Sequence, residues 1–211
     1  SPQVLPGLIG ALAQRGDTAA APALAPFVSD NDPTISLAAI EALTLIGDGS
    51  SVPVLIRAAA HGDKTCSDAA FNALLRLNHP QVSASLLACM QQTDTEGVTV
   101  LAEVMGKRRD TSVLPAIKEL LQGSDGVILA ATAQALAEIG APSDSQLLCQ
   151  ALERADDEKC RQAVQKALVT LGNRFEASPE ITDTILAGLN TENLTVRCAL
   201  MDVCGRLNDE K

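Results

Sequence analysis

Five aspartates, Asp32, Asp63, Asp94, Asp125 and Asp156, recur along this chain at a strict interval of 31 residues. Carboxylates in a regular series can ligate calcium, cap helices or move protons, and the neighbouring residues decide which. The first of them lies in SDNDPTI, residues 29 to 35, where Asp30 and Asp32 flank Asn31 and Pro33 follows. A calcium loop needs further oxygen ligands and a glycine at its sharp turn, and DNDPTISLAAIE supplies neither. A carboxylate at a helix N-cap accepts orphan backbone N–H groups, and proline suits the first helical position. The five aspartates are therefore read as helix caps that bind no metal.

The other reactive side chains are few. Six cysteines (Cys66, Cys89, Cys149, Cys160, Cys198, Cys204) form no CxxC pair, and only His61 and His79 could join them, so no zinc site is expected. Cys66 and Cys160 stand where other parts of the chain have Ile, as small buried apolar residues would. Cys149 and Cys160 flank one interhelix turn and are the pair whose bonding is worth testing. His61, in HGDK, and His79 both read as turn residues, and no Ser–His–Asp or Cys–His set emerges. The basic run KRRD, residues 107 to 110, suits the C-terminal end of a helix dipole and is read as solvated. On these residues the chain is expected to be no enzyme and to hold no cofactor.

Composition narrows the class. The 211 residues are 46% apolar, mostly Ala, Leu, Val and Ile, with three Phe and no Trp or Tyr. That inventory favours helices packed closely through small residues over strands. A net charge of −10 argues against nucleic-acid binding, which needs clustered Lys and Arg. No apolar run is long enough to insert in a membrane, and no signal peptide is seen. Unpaired thiols suit a cytoplasmic location. The chain begins at Ser1 rather than Met, as a processed form or an excised piece would.

The elements that carry these residues follow from further series at the same interval. Gly16, Gly47, Asn78, Arg109 and Gly140 mark turns, with Asp17, Asp48 and Asp110 after three of them. Pro22, Pro53 and Pro115 form a third series, and after Gly140 the period loosens, with junctions at Gly172 and Asn208. Counting back from each turn, the fourth position holds Leu12, Leu43, Leu74, Met105, Leu136, Leu168 and Cys204. The ninth is mostly small (Gly7, Ala38, Ala69, Val100, Ala131), and with the twelfth these positions are read as one core face of a long helix. Counting forward, Leu24, Leu55, Leu86, Ile117 and Leu148 mark a shorter helix. Each unit is thus a helical hairpin that must stack on its neighbours to hide its apolar faces.

With GDGSSVPVLIRAA, DTSVLPAIKELL and TVRCALMDVCGRL, the chain resembles the HEAT-repeat family, and its short period resembles the subtype found in phycobilisome lyases. The resemblance implies an all-α fold, a right-handed solenoid of stacked helical hairpins of the HEAT or armadillo type. It spans residues 1–211 as a single domain of six to seven units, and the absence of strongly polar end repeats reads as a fragment of a longer solenoid. The family's Asp–Arg ladder would rest only on Arg161 and Arg197. The opening segment, VLPGLIGALAQRGD, is readable as either helix of its unit.

Such repeats serve mainly as protein-binding scaffolds, with second helices lining a concave face. The tenth, seventh, sixth and third positions before the turn are read as facing away from the core. They hold Leu37, Ile40, Glu41, Asp68, Phe71, Asn72 and Leu75, with Glu103 and Gln134 continuing the row. Apolar side chains rimmed by acids suit a basic, partly apolar segment of a protein partner. The expected function is a non-enzymatic interaction scaffold, and its rival is a bilin lyase or isomerase subunit or another enzyme-associated repeat domain.

Overall fold

The computed structural model describes residues 4–124 and 126–209, with side chains as far as residue 207. Among these residues every regular element is helical and no strand occurs. Long and short α-helices alternate. The long ones are α1 (Val4–Gln14), α3 (Pro33–Ile46), α5 (Lys64–Arg76), α7 (Thr95–Arg108), α9 (Gly126–Ile139), α11 (Glu158–Arg174) and α13 (Leu194–Asp209). Between them lie α2 (Ala21–Leu24), α4 (Val52–His61), α6 (Val82–Cys89), α8 (Leu114–Gly123), α10 (Ser145–Arg154) and α12 (Pro179–Gly188).

Aspartate chemistry starts these helices. Asp32 accepts the Thr34 N–H, Asp63 those of Thr65 and Cys66, and Asp94 that of Gly97. Those bonds hold the Asp63 and Asp94 carboxyls below the usual carboxylate range, the Cys66 and Gly97 amides being the leading causes. Asp125 lies outside the described residues. The fifth site differs from expectation: Asp157, not Asp156, caps α11 by accepting the Cys160 N–H at 2.7 Å. The reason is a slip in the period, since Gly172 falls 32 residues after Gly140 and the cap moves with it. A second set opens the short helices, where Asp17, Asp48 and Asp110 accept the N–H two residues on. At one of the two turns without such an aspartate, His79 Nδ1 accepts the Gln81 N–H at 3.3 Å. Gly16 and Arg109 end their helices with positive φ, the left-handed stop that favours glycine.

Two compact units divide the chain, Ser1–Val104 and Met105–Lys211. In the first, α1, α3 and α5 pack side by side, and α4 packs on α6. In the second, α9, α11 and α13 form the long row and α8, α10 and α12 the short one. This is a solenoid fold of stacked helix pairs. Because α1 meets α3 as α3 meets α5, the opening segment is a second helix. Asn208, expected at a turn, lies within α13.

The core face needs one correction. The fourth position is buried as expected, at Leu43, Leu74, Met105, Leu136 and Leu168. The ninth is half-buried at Ala38, Ala69, Val100 and Ala163 and closed only at Ala131 and Ala199, whereas the eighth is closed in every long helix after α1, at Ala39, Ala70, Leu101, Thr132, Val164 and Leu200. Helical geometry explains it: at about 100° per residue the ninth position lies only about 60° from the exposed sixth. The fifth joins the eighth, at Ala42, Ala73, Val104, Ala135, Ala167 and Val203.

Two arginines close helix ends in the second unit. Arg154 donates to the Leu121, Gln122 and Ser124 carbonyls at the end of α8. Arg174 donates to the Ala137 and Gly140 carbonyls at the end of α9. Burial lowers the Arg174 pKa against the pull of Glu138. Meanwhile Arg161 pairs with Glu158 at 2.5 Å, and among the described residues it meets no aspartate.

Candidate functional site

In the first unit the outward stripe of the long helices runs through the tenth, sixth and second positions. Glu41, Asp68, Asn72 and Glu103 are exposed on it, and Leu37 is half-buried. Asn72 is steadied by donating from Nδ2 to the Asp68 carbonyl at 2.8 Å. Phe71 and Leu75 are half-buried rather than free on the surface. Ile40 is corrected: at 1% exposure it is core, because the seventh position turns toward the next long helix. Gln134 lies in the second unit and is half-buried. The strongest apolar member was missed. Leu45, four residues beyond Glu41 on α3, is 71% exposed and could have been found by extending the tenth-and-sixth spacing one turn.

A different feature lies where α4 ends. Two recesses of about 310 and 270 Å³ open there, and Arg57 and His61 line both. The larger adds Pro53, Ile56, Cys89 and Asp94, and the smaller adds Asp30, Asp63 and Cys66. His61 is thus more than a turn residue. Its Nε2 sits 2.7 Å from Asp94 Oδ2, so the end of α4 is tied to the cap of α7.

The thiols of this neighbourhood are poorly suited to react. Burial pushes the Cys89 and Cys66 thiols up, which keeps them protonated and poor as nucleophiles. Cys66 instead donates to Ser36 Oγ at 3.5 Å, and Ser36 donates to the Val28 carbonyl at 2.5 Å. Among the described residues no three His, Cys, Asp or Glu side chains gather as a metal site would require.

All six cysteines are free, so Cys149 and Cys160 are not joined. Cys160 donates to the Gly126 carbonyl at 3.3 Å, while Cys149 feels Cys204. Burial, then Glu153, pushes Cys149 up to about 12. Cys198 is exposed. A maleimide at neutral pH should therefore label exposed Cys198 before Cys149, with all six reacting only in denaturant; peptide mass spectrometry reads the order. Equal labelling of Cys149 and Cys198 would contradict this packing of α10.

The profile for HEAT repeats matches residues 1–66, 29–102 and 98–169. No curated protein matches the sequence. Among solved structures, human deoxyhypusine hydroxylase in complex with glycerol is similar at 16% identity, covering 99% of this chain and 81% of that one, with a TM-score of 0.47. The complex of CpcE and CpcF of phycocyanin lyase from Nostoc is similar at 18% identity, covering 94% and 87%, with a TM-score of 0.41. An engineered protein is similar at 16% identity, covering 90% and 96%, with a TM-score of 0.43. At these identities the likeness is one of fold. The expectation that the chain is no enzyme is nevertheless withdrawn: two of these structures are by name a hydroxylase and a lyase, so helical repeats do not exclude catalysis. No helix among the described residues is long and apolar enough to cross a membrane.

Proposed function

This chain belongs to the HEAT-repeat family, and we propose that it binds a protein partner on the long-helix face of residues 1–104. The observation that carries the reading is Leu45, exposed on α3 one turn beyond Glu41. Apolar patches rimmed by polar residues mark interaction sites, and Leu45 is the most exposed of the large apolar side chains among the described residues. Together with Glu41, the side chains of Asp68, Asn72 and Glu103 extend the polar rim across three long helices, and half-buried Leu37 lies on the same stripe as Leu45. The fitting partner is a basic, partly apolar segment. Substituting Leu45→Asp with Asp68→Lys should abolish its capture and leave stability within about 0.5 kcal/mol, as exposed positions allow. Wild-type capture should weaken as salt rises, since surface steering is screened. Undiminished capture by the double variant would overturn the reading.

A second reading, an enzyme-associated or lyase-type subunit that handles a bilin, is favoured by the recess beside His61. Its volume of about 310 Å³ reaches the lower end of small-molecule sites, and Arg57 there has no ion pair among the described residues. With no Trp or Tyr, the protein leaves the visible and near-ultraviolet bands of an added bilin unobscured. An absorbance titration that saturates with wild type and fails with Arg57→Ala supports this reading, and no spectral change rejects it.

A further inference from the structure

Positive φ is costly for every residue but glycine, and three non-glycine residues adopt it among the described residues: Arg109 at 53°, Glu176 at 51° and Ala177 at 48°. All three stand beside one pair of side chains in the second unit, Arg109 and Arg174. Arg109 follows α7, at the place in the turn series that glycine holds in Gly16, Gly47 and Gly140. Glu176 and Ala177 bend the chain back after α11, where the Ala177 N–H donates to the Gly172 carbonyl at 2.7 Å. Just before that bend, the Phe175 ring carries the Arg174 guanidinium 5.0 Å from its centroid. Strained backbone gathers at ligand clamps, where the surroundings hold it in place.

Both guanidinium groups converge on the end of α9. Arg174 Nη1 donates to the Ala137 carbonyl and, at 3.2 Å, to that of Gly140. Arg109 Nη2 lies 3.7 Å from Glu138 Oε2, beyond hydrogen-bond length, and the Arg109 side chain is 72% exposed. Closing a helix end asks for less than this. Arg154 closes α8 alone and spends both terminal nitrogens on carbonyls. Arg174 spends only one. Its Nε and Nη2 edge, the fork that takes two oxygens of one oxyanion, meets no acceptor among the described residues. Burial lowers the Arg174 pKa, Glu138 raises it, and the like charge of Arg109 lowers it again.

We propose that Arg109 and Arg174 clamp a single phosphate group, with the Nε and Nη2 edge of Arg174 on two of its oxygens and Arg109, swung from Glu138, on a third. Charge selects phosphate. Lys107, Arg108, Arg109 and Arg174 stand at these turns against Asp110 and Glu138, an excess of two positive charges. A phosphate monoester, at about −1.5 to −2 near neutral pH, balances that excess, and a carboxylate balances half of it. The net charge of −10 on the whole chain repels a polyphosphate such as a nucleic acid, so the group is a lone one. A phosphorylated side chain and a small phosphate both present it.

Isothermal titration calorimetry of the full chain with inorganic phosphate, a phosphoserine tripeptide and acetate tests this. Phosphate should bind saturably and acetate should not. Arg109→Gly should abolish binding without lowering the melting temperature, because glycine relieves the left-handed backbone as it removes the cation. Arg174→Lys keeps the charge without the fork and should weaken binding about tenfold. Glu138→Gln, which removes the competing carboxylate, should strengthen it. A tripeptide that binds as tightly as phosphate makes the ligand a phosphorylated side chain, and phosphate binding without the tripeptide makes it a small phosphate. No saturable heat with either overturns the proposal. So does phosphate binding that survives Arg109→Gly, or acetate binding equal to that of phosphate.

Discussion

Asp144→Ala is expected to destabilise the second unit by about 3 kcal/mol, measured by urea unfolding. Asp144 is 3% exposed, in the 3₁₀ turn that leads into α10. Its Oδ1 lies 2.5 Å from Lys118 Nζ on α8, and its Oδ2 accepts the Ala141 N–H at 2.9 Å. Alanine leaves an ammonium and a backbone donor without their acceptor, the costly way to break a buried pair. The figure sits at the low end because Lys118 keeps 35% of its side chain in solvent. Asp144→Asn, which still accepts the N–H, should fall between wild type and alanine. Replacing both partners, Asp144→Leu with Lys118→Met, should recover most of the loss, since apolar residues of similar volume need no partner. A loss under about 0.5 kcal/mol, the range of ordinary surface changes, would contradict this burial.

Ala70→Leu is the second large effect, at roughly 1–3 kcal/mol. Ala70 is fully buried one turn beyond Cys66, on the side of α5 that meets α3. Added methylenes there must push the two long helices apart or leave their rotamers. Ala69→Leu, one residue earlier and half-buried, should cost no more than about 0.5 kcal/mol. Thermal melts of the two variants side by side give the comparison. Equal losses would mean that the ninth position belongs to the core after all.

That pair also shows where the sequence misleads. Ala69 and Ala70 are identical in type, so small-residue periodicity cannot say which faces inward; only the burial of whole neighbouring helices does. What was readable was local. A carboxylate at Asp32 or Asp63 acts on amides two or three residues away, and its spacing repeats because the helix starts repeat. Arg154 and Arg174 were invisible for the opposite reason. They act across 30 residues or more on main-chain carbonyls, which leave no mark in a sequence.

The candidate face divides the same way. Glu41, Asp68, Asn72 and Glu103 reach solvent because the sixth and tenth positions lie far from both neighbouring helices. Ile40 does not, because its position serves the next helix in the stack. Leu45 went unnoticed because the pattern was read only as far as the third position before the turn. The His61–Asp94 bond joins a short helix to the cap of a long one in the next repeat, which the 31-residue series could not indicate.

Photo-crosslinking from chosen positions tests the partner-binding account most directly. A benzophenone residue replacing Leu45 or Asn72 would report on the long-helix face, and one replacing Ala84 or Ala88, both exposed on α6, would report on the short-helix row. The account predicts one shared adduct from residues 45 and 72 in cell extract, absent at high salt and absent when Glu41 and Asp68 are changed to Lys. An adduct formed equally well from residues 84 and 88, or one indifferent to those charge changes, would contradict it.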